Sequence, residues 1–106
     1  IKRKWVRALR SGRYKQTTDM LYNGKAYCCL GVLCRVVGAK RRDGLFIWDD
    51  NGEEYELPDN LRRELGIRPN TEKKLIRMND GYLDNYGKNI EPQSFEQIAD
   101  YIDEHL

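Results

Sequence analysis

The stretch AYCCLGVLCRVVG, Ala26 to Gly38, decides how this chain folds. Only Arg35 and the Tyr27 hydroxyl interrupt a run that is otherwise apolar or glycine, in a chain that is 34% charged. Leu30, Leu33, Cys34 and Val37 recur at i, i+3, i+4 and i+7, the spacing of one helical face. A helix is therefore expected from about Cys29 to Val37, with Gly38 as its left-handed stop. Nearly every face is apolar, which puts this helix inside the molecule. Gly31 in its middle costs ~1 kcal/mol relative to alanine, so a neighbour is expected to pack closely there. Val32, Val36 and Val37 are β-branched and keep a buried strand open as the alternative.

The same stretch holds all three cysteines. Structural zinc wants four ligands, usually in two closely spaced pairs. Cys28-Cys29 and Cys34 are badly spaced for that, and the lone histidine, His105, lies at the far end of the chain. A catalytic thiol needs a base or a positive field to form thiolate, and a path to substrate. Cys28 or Cys29 at a helix start beside basic segments has the field, but its only histidine partner would be His105 near a terminus. Small apolar residues packed in a core is the favoured reading. An odd cysteine count, two of them adjacent, also fits free thiols in a reducing cytoplasm.

Outward from this segment the chain is polar. A length of 106 residues suits one domain, 1–106, with a single modest core. No apolar run nears the ~20 residues needed to span a bilayer, so no membrane partner is expected. No signal-peptide pattern stands at the start, although the chain opens on Ile1 rather than Met and a few residues are expected to precede it. The net charge of +2 conceals a division. Residues 1–42 carry twelve Lys and Arg against the single acid Asp19, whereas residues 43–106 carry seven against sixteen acids. Halves this unlike meet an external anion, or each other.

KRKWVRALR, Lys2 to Arg10, places Trp5, Val6 and Leu9 on one helical face, and Ser11-Gly12 ends it. Asn23-Gly24 marks a tight turn in an otherwise extended connection. AKRRDG, residues 39–44, is expected to be an exposed basic connector. A hairpin is expected near 45–57: Leu45 to Trp48, a turn over Asp49 to Gly52, then Glu53 to Leu57. Pro58 starts a helix over Asp59 to Leu65, and Thr71 caps another running to about Met78. Residues 79–89 are rich in turn formers and are expected to form a loop. Ser94 and Gln97 make a capping box for a last helix with Phe95, Ile98, Ala99 and Ile102 as its apolar stripe. The sum is an α+β domain of about four helices and a small antiparallel sheet.

Acids crowd the hairpin sequence WDDNGEEYE, residues 48–56, yet without the spacing of a metal or catalytic motif. Asp80 and Asp84 are equally unspecific. The stronger chemical signal is basic and aromatic residues interleaved. Arg7, Arg10, Arg13 and Lys15 suit phosphates, Tyr14 and Trp48 suit stacking on a base, and Gln16 and Asn79 supply hydrogen bonds. These eight are the candidate ligand-binding residues; no catalytic or metal-binding residue and no cofactor is assigned. Long nucleic acid is disfavoured because the acidic half would repel it.

Four blocks then fix a likeness: Trp5 to Gln16 (WVRALRSGRYKQ), Tyr27 to Cys34 (YCCLGVLC), Leu75 to Asp80 (LIRMND) and Ser94 to Ile102 (SFEQIADYI). In this order they resemble a family of small, mostly uncharacterised proteins encoded by bacteriophages and prophages. Lys40 to Arg68 follows it only in outline. The resemblance implies phage origin and residence in the host bacterial cytoplasm. By analogy of class, small phage proteins without a catalytic constellation inhibit host defence. One such class encloses a nucleotide-derived messenger, a cyclic dinucleotide or a cyclic ADP-ribose product, in pockets of a homo-oligomer. The expectation is therefore a non-enzymatic binder of a phosphate-containing small nucleotide. Its rivals are a small nucleotide-cleaving enzyme using Cys28 or an acidic loop, and an inhibitor that docks its acidic face, Asp49 to Glu56, on a host defence or transcription protein.

Overall fold

In the computed structural model, which describes residues 1–106, helix α1 spans Lys2–Arg10 and helix α2 spans Cys29–Val37. Helix α2 is the centre. Cys29, Leu30, Val32, Leu33 and Cys34 are all completely buried. Gly38 ends the helix in the left-handed conformation, φ 80°, and its amide donates to Arg35 and Cys34 carbonyls. No side chain larger than hydrogen fits at Gly31. A methyl group there would lie 1.9 Å from the carbonyl oxygen of Leu21, because the 17–27 segment crosses directly over the helix.

α1 lays Trp5, Val6 and Leu9 on this core, and the Trp5 indole N–H donates to the Cys29 carbonyl at 2.9 Å. The expected connector 39–44 is instead a strand. β1 (Lys40–Arg42), β2 (Leu45–Trp48) and β3 (Asn51–Glu53) form a three-stranded antiparallel meander. Two-residue turns join them, with Asp43 and Gly44 at φ 51° and 81° and Asp49 and Asp50 at φ 46° and 66°. Positive φ at both central residues is the turn that matches strand twist. This tight second turn starts β3 at Asn51, so the returning strand is earlier and shorter than the expected Glu53 to Leu57.

α3 covers Asp59–Glu64, directly after Pro58. α4 covers Pro69–Asp80, starting two residues before the expected Thr71, because Pro69 occupies the first turn where its missing N–H is harmless. The expected loop 79–89 contains the end of α4 and a small ladder, β4 (Tyr82–Leu83) against β5 (Asn89–Ile90). α5, Phe95–His105, opens with the expected capping box: Ser94 Oγ accepts from Gln97 N, and the Gln97 side chain accepts from Ser94 N. The molecule is thus α+β, with five helices of which α3 is a six-residue turn and a half, and sheets of three and two strands. No helix is long and apolar enough to cross a membrane.

The two charge halves do meet. Basic α1 packs on acidic α5, where Arg10 pairs with Asp100 at 2.7 Å and with Asp103 at 3.9 Å. Lys2 Nζ donates to the Asp103 carbonyl at 3.0 Å.

Candidate functional site

Lys4, Arg7, Ala8 and Ser11 recur at i, i+3, i+4 and i+7, so they share the face of α1 turned away from its buried stripe. Ser11 closes the helix by donating its hydroxyl to the Ala8 carbonyl at 2.6 Å and accepting from Arg13 N at 3.2 Å. Gly12, at φ 76°, then turns the chain so that Arg13 and Tyr14 stand beside that face. The result is a hollow of about 380 Å³ lined by Lys4, Arg7, Ala8, Ser11, Arg13 and Tyr14. No acid lines it. None of its three cations belongs to an ion pair; those pairs involve only Arg10, Arg62 and Arg63. Tyr14 is held edge-on to Tyr27, with ring centres 5.3 Å apart, so its position is braced from behind.

Of the eight residues singled out from sequence, the structure brings Arg7, Arg13 and Tyr14 together in this hollow. Lys15 is exposed and follows directly along the chain. Arg10 turns to α5, where the hydrogen bond to Asp100 makes its guanidinium still harder to deprotonate. Trp48 lines a different hollow, with Gly38, Lys40, Ile47, Asp49 and Asp50, and its indole N–H donates to Glu64 at 2.7 Å.

Gln16 and Asn79 are joined to each other inside the protein. Gln16 Nε2 donates to Asn79 Oδ1 at 3.0 Å and to the Gln93 carbonyl at 2.8 Å, while its Oε1 accepts from Phe95 N at 3.0 Å. Asn79, 1% exposed, also accepts from Cys29 N at 3.1 Å and donates to the Thr17 carbonyl and Asp80. This amide pair satisfies the first free N–H of both α2 and α5, which a buried helix start requires. Each of their side-chain polar atoms has a partner within the protein, so both residues shape the fold.

The thiols are interior. Cys28, Cys29 and Cys34 are buried and unpaired. Burial pushes Cys28 up to about 11 and Cys29 well above the ordinary thiol value; Cys34 rises for the same reason. At neutral pH they are thiols, not thiolates, and a nucleophile needs the thiolate. Cys28 has a local task, accepting from Gly31 N as the cap of α2. Nowhere do three His, Cys, Asp or Glu side chains converge as a metal would require.

Lys4 is the lining cation outside those eight, and its i, i+3 spacing to Arg7 is the sequence signal that marks it. A larger hollow, about 770 Å³, lies between α4, α5 and the β4–β5 ladder, and none of the eight residues lines it.

The fold and its surface define a small α+β domain with a buried thiol helix and an acid-free cationic hollow beside its first helix. The chain belongs to the family described as Domain of unknown function (DUF8296), whose model matches residues 1–106. No curated protein and no solved structure matches it.

Proposed function

We propose that this protein is a phage-encoded, non-enzymatic binding protein that sequesters a phosphate-bearing nucleotide messenger of host anti-phage defence, of the cyclic dinucleotide or cyclic ADP-ribose kind. One observation carries the reading: Lys4, Arg7 and Arg13 surround a single hollow, beside Tyr14, with no carboxylate among its lining residues. Unpaired guanidinium groups suit phosphate, which they hold through two parallel N–H···O bonds. Lys15 extends the positive edge, and Tyr14 offers a ring to a base. The phage setting rests on the resemblance of the four sequence blocks. Buried, protonated thiols weigh against the rival in which Cys28 cleaves the nucleotide.

One helix face and one turn make a shallow wall. Enclosing a nucleotide takes a second wall, and a second copy of the chain would supply it, so the binder is proposed to act as a homo-oligomer in the bacterial cytoplasm.

The test is calorimetric titration with cyclic dinucleotides and cyclic ADP-ribose products, followed by heat denaturation and mass analysis of what is released. Release of the intact molecule is expected, and Arg7→Ala or Arg13→Ala should each weaken binding about tenfold, the worth of one charge-assisted hydrogen bond. A released product would mean an enzyme. Absence of binding together with tight co-purification of one host protein would shift the reading to a protein inhibitor. Its contact surface would then be the acidic hairpin 49–56, where Tyr55 is 61% exposed.

A further inference from the structure

The hollow between α4, α5 and the β4–β5 ladder measures about 770 Å³ against about 380 Å³ for the α1 hollow, and the reading above makes no use of it. Its α4 wall carries Lys73, Lys74 and Arg77. Two of these cations rest on rings rather than on acids. Lys74 Nζ lies 5.0 Å from the centre of the Tyr101 ring, and the Arg77 guanidinium carbon 5.4 Å from that of Tyr82. None of the three joins an ion pair, although three acids line the same hollow. A cation placed on a ring keeps its N–H donors free for a ligand.

The opposite wall is equally particular. Asp100 is already neutralised by Arg10, leaving Glu91 and Glu104 as free acceptors. His105 stacks on Tyr101, ring centres 4.3 Å apart and 20° from parallel, so the α5 side presents a flat aromatic surface. A bare anion would leave the two glutamates unpartnered, and a polycation would leave the three α4 cations so. A ligand with an anionic end, a planar ring and outward N–H donors satisfies both walls at once.

We infer that this hollow is a second ligand site, separate from the α1 hollow, which takes a mononucleotide: phosphate on Lys73, Lys74 and Arg77, base against the Tyr101–His105 stack, and base amino groups on Glu91 or Glu104. The volume lies within the range of small-molecule pockets. The His105 ring, backed by Tyr101, supplies the aromatic surface that nucleobases use.

Adenosine 5′-monophosphate is the probe, with adenosine, inorganic phosphate and a tetraglutamate peptide as comparisons, read by amide chemical shifts of the isotope-labelled protein. The mononucleotide should move resonances of residues 73–77 and 101–105. Adenosine and phosphate should each bind at least tenfold more weakly. Lys74→Ala and Arg77→Ala, both at exposed positions, should weaken binding at least tenfold with the dispersion of the spectrum retained, whereas Lys25→Ala, exposed and outside both hollows, should leave it unchanged. The inference is overturned by shifts confined to the α1 hollow, by shifts that survive both substitutions, by phosphate or the peptide matching the mononucleotide, or by no shift at millimolar probe. Loss of messenger binding at the α1 hollow would leave this result untouched, so the two readings fail separately.

Discussion

Asn79 is the residue on which most depends. Its amide joins α4 to the start of α2, to Thr17 and to Gln16, and through Gln16 to the start of α5. Asn79→Ala should cost at least about 3 kcal/mol in a denaturant titration, since it orphans several buried groups at roughly 1–3 kcal/mol each. Gln16→Ala should cost less, because it is partly solvated. Neither role was legible in sequence: the partners lie 63 positions apart, and an amide that caps a distant helix looks the same as one that reads a base. Glu72 makes the complementary case. It is buried, accepts from Leu57 N at 2.9 Å, and burial raises its carboxyl above the ordinary 4.5. A raised acid binds its proton more tightly in the folded than in the unfolded chain, so its contribution is fullest below 4.5 and fades as pH rises through the native value. Glu72→Gln keeps the acceptor and removes the buried charge. It should raise the melting temperature at pH 7.5, with the gain over the parent shrinking as the pH is lowered toward 4.5.

Among the elements, those with local punctuation could be read directly. α2 has its apolar run and Gly38, and α5 has Ser94, Gln97 and a clean stripe; both stand where expected. β1 is not legible in sequence because Lys40, Arg41 and Arg42 carry no alternation, although Asp43-Gly44 is a strong hairpin signal. Helix placement makes its own forecasts. Gly31→Ala drives a methyl group into the Leu21 carbonyl, a backbone atom that cannot yield without moving the segment. A loss of about 3 kcal/mol or more, or failure to fold, should show in circular dichroism melts. The Arg10–Asp100 pair is solvated, so a double-mutant cycle on it should return little coupling, and less still at high salt.

At the scale of the whole molecule, the division of charge has two destinations. Part is consumed internally where α1 meets α5, and part stands free in the acid-free hollow of Lys4, Arg7 and Arg13. Composition announced the imbalance but not this partition, since a helix face and the turn after it come together only in three dimensions. The α4–α5 hollow was invisible for the same reason: its walls come from helices whose individual sequences look like ordinary charged surface. The interior thiols have one more consequence. With Cys29 and Cys34 sealed at 0% exposure and Cys28 at 5%, an aromatic disulfide reagent at pH 8 should find nothing to label until the domain opens. The rate of colour release then becomes a stopwatch for breathing of the native state, and it should run faster in Gln16→Ala, whose lost bracket lies close to where α2 begins.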